Sequence, residues 1–388
     1  MSGTTKGRHL RFQPSAAISR VAAASLRPPG GLAPAGAISL AQGEPDFPTP
    51  EPVIEALCQA ARGGYTRYGD MNGDPELRAA IAERASRIAG APYSERAVLV
   101  SHGGAAAITA AILATVNPGD RVILPEPTYS LYLDAVQLAG GRPVFVPTRP
   151  DRHLDPGPLA AELTGAAMVV LCNPVNPTGA VFGAAELDWL GQQLAGTDTL
   201  VLADEAYADI VYDGQPFTSM LAVPSLRERL IYVQTLSKTY AMTGWRVGYA
   251  VAAPDITAAI RHVHRTMNSA VNAAVQRAAL AAISIGPSLA EPMLAAYQER
   301  RDFVAGRIAA MDGLDATRPA GAFYSFARYA SPRPAAEVTA KLLAGGVVVR
   351  SGPEFGPSGE GHIRLSFATS MDNLREGLDR IERVLSGL

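Results

Sequence analysis

The segment Thr235-Leu-Ser-Lys-Thr-Tyr-Ala-Met-Thr-Gly-Trp-Arg-Val-Gly-Tyr249 sets one lysine, Lys238, beside two hydroxyls and eight residues before Arg246. A protonated lysine is a poor nucleophile. It becomes a good one when desolvation or a cationic neighbour lowers its pKa. Lysine amid phosphate-binding groups is the arrangement that holds pyridoxal phosphate as a Schiff base. The plainer alternative for the same residues is a solvated helix start.

Other segments extend that chemistry. Asp204-Glu-Ala-Tyr207 follows an apolar run. An aspartate there can pair with a protonated ring nitrogen and keep the ring an electron sink, and Tyr207 can reach the ring hydroxyl. Alternatively, Asp204 only caps the next helix. Asn173-Pro-Val-Asn-Pro-Thr-Gly179 is dense in turn formers; it is either a rigid turn or a device that presents the Asn176 amide. Gly103-Gly104-Ala105 opens a helix, whose free N–H groups and dipole favour an anion. Together with Thr235, Ser237 and Arg246 it describes a phosphate cup of neutral donors and one fixed cation.

The elements that must position these groups alternate along the chain. Apolar runs at residues 97–100, 121–124, 143–146, 167–172, 200–203 and 230–233 read as strands. Helical segments read from about 104 to 116, 130–139, 186–194 and 255–263. This predicts an α/β fold with a mostly parallel central sheet flanked by helices. Five strand ends carry the distinctive groups, where function collects in such sheets. Beyond about residue 285 the pattern changes to a long helix at 288–311, an aromatic stretch at Phe323 to Phe326 that reads as core, a helix at 335–344, strands at 347–350 and 362–367, and a closing helix at 371–385. The expected division is 1–48 as an N-terminal arm and part of a small domain, 49–285 as the large domain, and 286–388 as a smaller α+β domain.

Bulk properties narrow the classes. At 388 residues the chain exceeds what one core usually serves. A net charge of −2, without a large basic field, argues against a nucleic-acid partner. Cys58 and Cys172 lie far apart with no CxxC pair, so buried free thiols are expected and no metal site. His262 and His264, two apart on a helix, point away from each other. Lys6, Arg8 and Arg11 precede no long apolar run, so no secretory signal or membrane span is expected and the default location is the cytoplasm.

Taken in order, Asn176, Asp204, Tyr207, Lys238 and Arg246 resemble the signature of fold-type I pyridoxal-phosphate enzymes, in particular the aspartate-aminotransferase-like class I/II aminotransferases. The likeness runs from Ile38-Ser-Leu-Ala-Gln-Gly-Glu-Pro-Asp-Phe47 to His362-Ile-Arg-Leu-Ser-Phe-Ala-Thr369. It implies that Lys238 forms the Schiff base and shuttles the proton. Asp204 pairs with the ring nitrogen, Asn176 and Tyr207 bond the ring hydroxyl, and Tyr129 stacks on the ring. Gly104, Ala105, Thr235, Ser237 and Arg246 hold the phosphate. Arg364 clamps the substrate α-carboxylate with help from the Gly43 backbone, and Asn176 also borders the substrate. Tyr68 reaches the phosphate of a second subunit, which implies a homodimer with shared sites. The family often has a polar side chain after the Gly-Gly pair; Ala105-Ala106 leaves only backbone donors there.

The expected reaction is transfer of an amino group from an L-amino acid to a 2-oxo acid by a ping-pong mechanism through pyridoxamine phosphate. The rival is β-elimination or cyclisation of an amino acid on the same apparatus. A cofactor-sensing regulator would need a DNA-binding module that residues 1–37 are too short and too rich in Pro and Gly to form.

Overall fold

The computed structural model describes residues 12–26 and 34–388. Parts of the expected N-terminal arm, 1–11 and 27–33, including Lys6, Arg8 and Arg11, lie outside the described residues.

The first strand, β1 (Ile38–Ser39), belongs to the C-terminal part of the molecule and is taken up below. The central sheet is built from β2 (Val98–Ser101), β3 (Arg121–Glu126), β4 (Arg142–Pro147), β5 (Met168–Cys172), β6 (Leu200–Asp204), β7 (Leu230–Thr235) and β8 (Gly248–Ala252), in the order β2-β8-β7-β6-β5-β3-β4. β4, β3, β5, β6 and β7 run parallel; β8 is antiparallel to both its neighbours. The α/β architecture expected from the alternating runs is therefore present. β5 is buried along its whole length and β6 nearly so, as apolar runs covered by helices on both faces should be. The helix Gly103–Thr115 is mostly Ala, Ile and Leu because it lies between this sheet and further helices. Strand order reverses between β3 and β5, and ligands collect at the carboxyl ends beside such a point. Cys172, Asp204 and Thr235 close three of those ends.

A second core forms around the C-terminal part. β9 (Leu314–Asp315), β10 (Tyr324–Tyr329), β12 (Arg350–Ser351) and β13 (His362–Ser366) make an antiparallel sheet, while β1 pairs parallel with β11 (Val347–Val348). Tyr297 and Val304 of the helix Glu291–Ala309 pack in that core with Leu374, Leu378 and Ile381 of the helix Met371–Leu385. Leu40 joins it: its N–H donates to the Val348 carbonyl at 2.8 Å and its carbonyl accepts from Ser366 N–H at 2.7 Å. These bonds carry the segment after β1 across to Gly43, at the mouth of the central sheet.

Three local expectations are corrected. The single strand at 347–350 is two strands, because the chain leaves β1 after Val348 and turns to pair with β13 from Arg350. The helix at 288–311 starts as a 3-10 turn at Pro287–Ala290 and becomes α-helical at Glu291; it is set off from Ala273–Ile285 by Gly286 at φ +91°. β8 was not foreseen. Among the described residues no single helix is long and apolar enough to cross a membrane.

Candidate active site

Lys238 sits in a short helix, Leu236–Thr239, started by Thr235 at the end of β7, whose hydroxyl accepts the Ser237 N–H at 3.2 Å. The lysine points back over the sheet and its Nζ donates to the Gly43 carbonyl at 2.6 Å. Burial drives its pKa down to about 8, Arg246 and Arg364 push the same way, and Glu44 and Asp204 oppose them. A large fraction of such an amine is neutral near pH 8 and able to act as nucleophile or base.

Asp204 ends β6, 6% exposed. Its Oδ2 accepts from the Tyr132 hydroxyl at 2.7 Å and its Oδ1 from the Ala206 N–H at 3.2 Å. No helix follows Asp204, so the capping alternative is not realised; the Ala206 N–H belongs to a turn, and the carboxylate lines the cavity. Burial pushes its pKa up, while the Tyr132 hydroxyl, the Ala206 N–H and the charge of Lys238 restrain the rise. A buried carboxylate in this state is matched to a cationic partner such as a protonated ring nitrogen. Tyr132 itself is fully buried and meets Tyr129 edge-on, ring centroids 5.7 Å apart. Tyr129 lines the cavity.

A seat for an anion forms where the helix Gly103–Thr115 starts. Gly104, Ala105, Thr235, Ser237 and Arg246 all line the same cavity. The hydroxyls of Thr235 and Ser237 lie 2.8 Å apart. Arg246 adopts a left-handed φ of +55°, and its Nη1 donates to the Thr243 carbonyl at 2.8 Å. Two glycines permit the approach. A Cβ on Gly103, at φ +78°, would meet Arg246 Nη2 at 2.9 Å, and one on Gly248 would lie 2.9 Å from Gly104 N and 2.8 Å from the Gln234 carbonyl. Behind this helix start, the Nε2 of the fully buried His264 accepts the His102 N–H at 3.3 Å, and the two imidazoles stack at 5.3 Å. Burial, then the neighbouring His102, push His264 down to about 4. His262 points elsewhere, to Arg265 Nη2 at 2.9 Å.

The opposite wall is Arg364 in β13. Nη1 donates to Asn176 Oδ1 at 3.0 Å and Nη2 to the Ala41 carbonyl at 2.5 Å. The guanidinium lies 4.3 Å over the Tyr324 ring and 4.9 Å over that of Phe355. Its buried Nε has no hydrogen-bond partner among the described residues, a donor that a carboxylate would satisfy. The Tyr207 hydroxyl is 2.8 Å from that of Tyr324.

Lys238, Asp204, Asn176, Tyr207, Arg364, Gly43, Tyr129 and the anion seat therefore surround one cavity of about 390 Å³, within the range for small-ligand sites. The anion seat, the buried Asp204 carboxylate on the cavity wall, the lowered pKa of Lys238 and the orphaned Arg364 Nε fit pyridoxal phosphate with an α-carboxylate. Tyr68 is not brought in; it is 88% exposed. Side chains at or beside the site that went unrecognised in sequence include Tyr132, Tyr324, Arg350 and Phe355. Tyr324 lies in the stretch expected to be core. It is buried, but its hydroxyl also bonds Tyr207 and its ring supports Arg364, so it lines the cavity. Tyr132, in the first turn of the helix Leu131–Ala139, joins the site only through its bond to Asp204, 72 residues away in sequence. Of the cysteines, Cys172 is buried at the cavity wall and Cys58 only half-buried.

The family model for aminotransferase class I and II matches residues 35–381. The aspartate/prephenate aminotransferase of Nitrosomonas europaea is 35% identical over 90% of this chain and 92% of its own. The crystal structure of the aspartate aminotransferase from Rhizobium meliloti superposes with a TM-score of 0.89 at 32% identity, covering 97% of this chain and 99% of that one. That of an aromatic aminotransferase from Pyrococcus horikoshii gives 0.89 at 33% identity, covering 96% and 99%.

Gly248→Ala should force the helix start away from β8 and weaken pyridoxal phosphate binding at least about tenfold, a cost of about 1.4 kcal/mol. A fluorescence titration that finds unchanged affinity would remove the helix start as the phosphate seat. His264, with a folded pKa below its unfolded value of about 6.5, should make stability fall as pH drops through the window from about 6.5 to about 4. Denaturant melts across that window should show a shallower loss for His264→Gln; an identical slope would contradict the buried neutral imidazole.

Proposed function

We propose roles for these residues in a chain that belongs to aminotransferase class I and II, the pyridoxal-phosphate-dependent enzymes that transfer amino groups. The substrates are an L-amino acid and a 2-oxo acid, exchanged in two half-reactions at the one cavity by a ping-pong mechanism. What carries the reading is the meeting of Lys238, Asp204 and Arg364, from three separate elements, around one desolvated space.

Bound pyridoxal phosphate supplies an electron sink for negative charge at the substrate α-carbon. Gly104, Ala105, Thr235, Ser237 and Arg246 would hold its phosphate, Asp204 its ring nitrogen, Asn176 and Tyr207 its ring hydroxyl, and Tyr129 its ring face. Arg364 binds the α-carboxylate through its fork, with Asn176 already on one arm. That clamp fixes which bond at the α-carbon faces Lys238, whose amine would take the α-proton and deliver it to the C4′ carbon of the bound cofactor. Tyr324 steadies both Tyr207 and Arg364. The Gly43 carbonyl, bonded to Lys238, sets the approach of the amine. The segment around Gly43, bonded to Lys238, covers one side of the cavity and limits the access of water.

Tyr68 of the partner subunit would complete the phosphate seat. Exposed Tyr65, Tyr68, Met71 and Met267 support a homodimer, with Met71 Sδ 3.8 Å from Ser269 Oγ beside the end of the Met267 helix. The division into a large unit at 49–285 and a small one at 286–388 joined by part of 1–48 is supported by the separation of the seven-stranded sheet from the two smaller ones; the helix Ala16–Ala24 instead packs on the large unit, with Arg20 Nε donating to the Gln137 carbonyl at 3.2 Å. The second core also recruits Tyr207, Ile210 and Tyr212, so the units interlock at the site. The cytoplasm remains the proposed location.

Holoenzyme mixed with an L-amino acid alone should yield one equivalent of its 2-oxo acid per site and no ammonia. A second 2-oxo acid should then leave as an amino acid. Lys238→Ala should slow both steps by at least about 100-fold. Ammonia release or a cyclised product would contradict transfer.

A further inference from the structure

A buried carboxylate joins the two cores beside the cavity and has no part in the roles above. Glu126 closes β3, three residues before Tyr129, and is 3% exposed. Its own carbonyl accepts from the Thr148 N–H at 2.9 Å and from the Thr148 hydroxyl at 3.0 Å, so the side chain projects from a fixed strand end. Its Oε2 accepts the Ser358 N–H at 3.0 Å, across 232 residues of sequence. Burial pushes its pKa up, and the Ser358 N–H and hydroxyl oppose the rise. A carboxylate taken out of water needs such partners.

The turn that supplies them, residues 352–359, links β12 to β13, and β13 carries Arg364. It is tightly closed. A Cβ on Gly359 would fall 2.0 Å from the Gly352 carbonyl oxygen, and one on Gly356, at φ +128°, would fall 2.1 Å from Glu126 Oε2. Glu354 Oε1 ties the start of the turn by accepting the Ser351 N–H at 3.0 Å. Two bonds reach the turn from the end of β3. The Thr128 N–H donates to the Phe355 carbonyl at 2.7 Å, and Glu126 accepts from Ser358. One bond alone would leave the turn free to pivot; the second fixes its angle. Phe355 is the residue that this angle aims. Its ring lies 4.9 Å from the Arg364 guanidinium and meets Phe326 edge-on, with ring centroids 6.0 Å apart. Burial, then Tyr324, Tyr207, Arg350 and Glu354, weigh most on the Arg364 charge. Glu126 therefore reaches Arg364 through the seating of Phe355 and not through its own field.

We infer that Glu126 is a positioning residue for the substrate carboxylate: by fixing the 352–359 turn it seats Phe355 against Arg364 and sets the clamp. The inference rests on the proposed role of Arg364. The same strand end leads into Tyr129, so one side chain holds the cofactor's ring wall and the carboxylate clamp in register. The α-carboxylate takes no part in making or breaking bonds to the transferred proton. Loosening its clamp weakens ground and transition states alike, which raises KM and spares kcat.

The test compares wild type with Glu126→Ala, Glu126→Asp and Glu126→Gln as holoenzymes. kcat and KM are measured with aspartate, glutamate, alanine and phenylalanine. Cofactor absorbance follows binding of their 2-methyl analogues, which keep the carboxylate and lack the α-proton. Glu126→Ala and Glu126→Asp fall short of Ser358; they should raise KM and weaken the analogues on the order of tenfold, with kcat within about threefold. Glu126→Gln keeps an acceptor at the same reach and should stay within about threefold of wild type. In a Phe355→Leu background the Glu126→Ala loss should shrink to under about threefold, because both changes act on one contact. Wild-type KM and analogue affinity in Glu126→Ala would overturn the inference. So would a loss that Glu126→Gln shares in full, a loss equally large in the Phe355→Leu background, or a loss of bound cofactor in place of carboxylate affinity. If Glu126→Ala does not fold, Glu126→Asp carries the same comparisons. If wild type transfers no amino group at all, the proposed reaction fails, and the analogue titration still decides Glu126 on its own.

Discussion

Removing the Lys238 ammonium from water is the constraint around which the site is arranged. Burial costs the charged form far more than the neutral one. The fold adds two guanidiniums, Arg246 and Arg364, on the same side of the balance. Asp204 and Glu44 keep the amine from becoming permanently neutral. The result is a lysine poised to gain and lose a proton in the working range of pH, where a group that must do both is most useful. The two arginines have binding duties of their own, so the charges that tune the lysine are the ones that hold its substrates.

That desolvation depends on two structures meeting. The central sheet delivers Asp204 and Lys238 at adjacent strand ends. The C-terminal sheet delivers Arg364, and through Leu40 it fixes the chain that brings the Gly43 carbonyl onto Lys238. Glycine is required at this seam. A Cβ on Gly43 would fall 2.0 Å from the Tyr324 hydroxyl. The same tight approach recurs where β8 meets the helix start. Backbone contact of this kind leaves little room for water and gives the cavity its low-dielectric walls.

The parts visible in the sequence were those encoded locally. Asp204 and Lys238 follow apolar runs that could only be buried strands, and the Gly103-Gly104 pair begins an alanine-rich helix. Pairings across long separations were not visible. Tyr207 and Tyr324 meet across 117 residues, and nothing near either one marks the other. Tyr324 reads as one more aromatic in an apolar stretch. That Arg350 lines the cavity follows only from its register opposite Arg364, and one residue of slip would turn it to the other face. β8 was missed because Gly248-Tyr-Ala-Val-Ala252 is short and glycine-led, and its antiparallel direction follows from a tight return after Arg246. The split at Val349 was hidden because a continuous apolar run does not reveal that it serves two sheets.

The central claim is that the fold itself, before any ligand binds, holds Lys238 far below the ordinary lysine pKa. The direct measurement is the pKa of the Lys238 amine in cofactor-free protein, by NMR of protein carrying isotope-labelled lysine, with Lys238→Arg to assign the signal. The account predicts a midpoint near 8, moving upward when Arg364 is replaced by Gln. A midpoint near the unperturbed value of about 10.4, unmoved by that replacement, would contradict it.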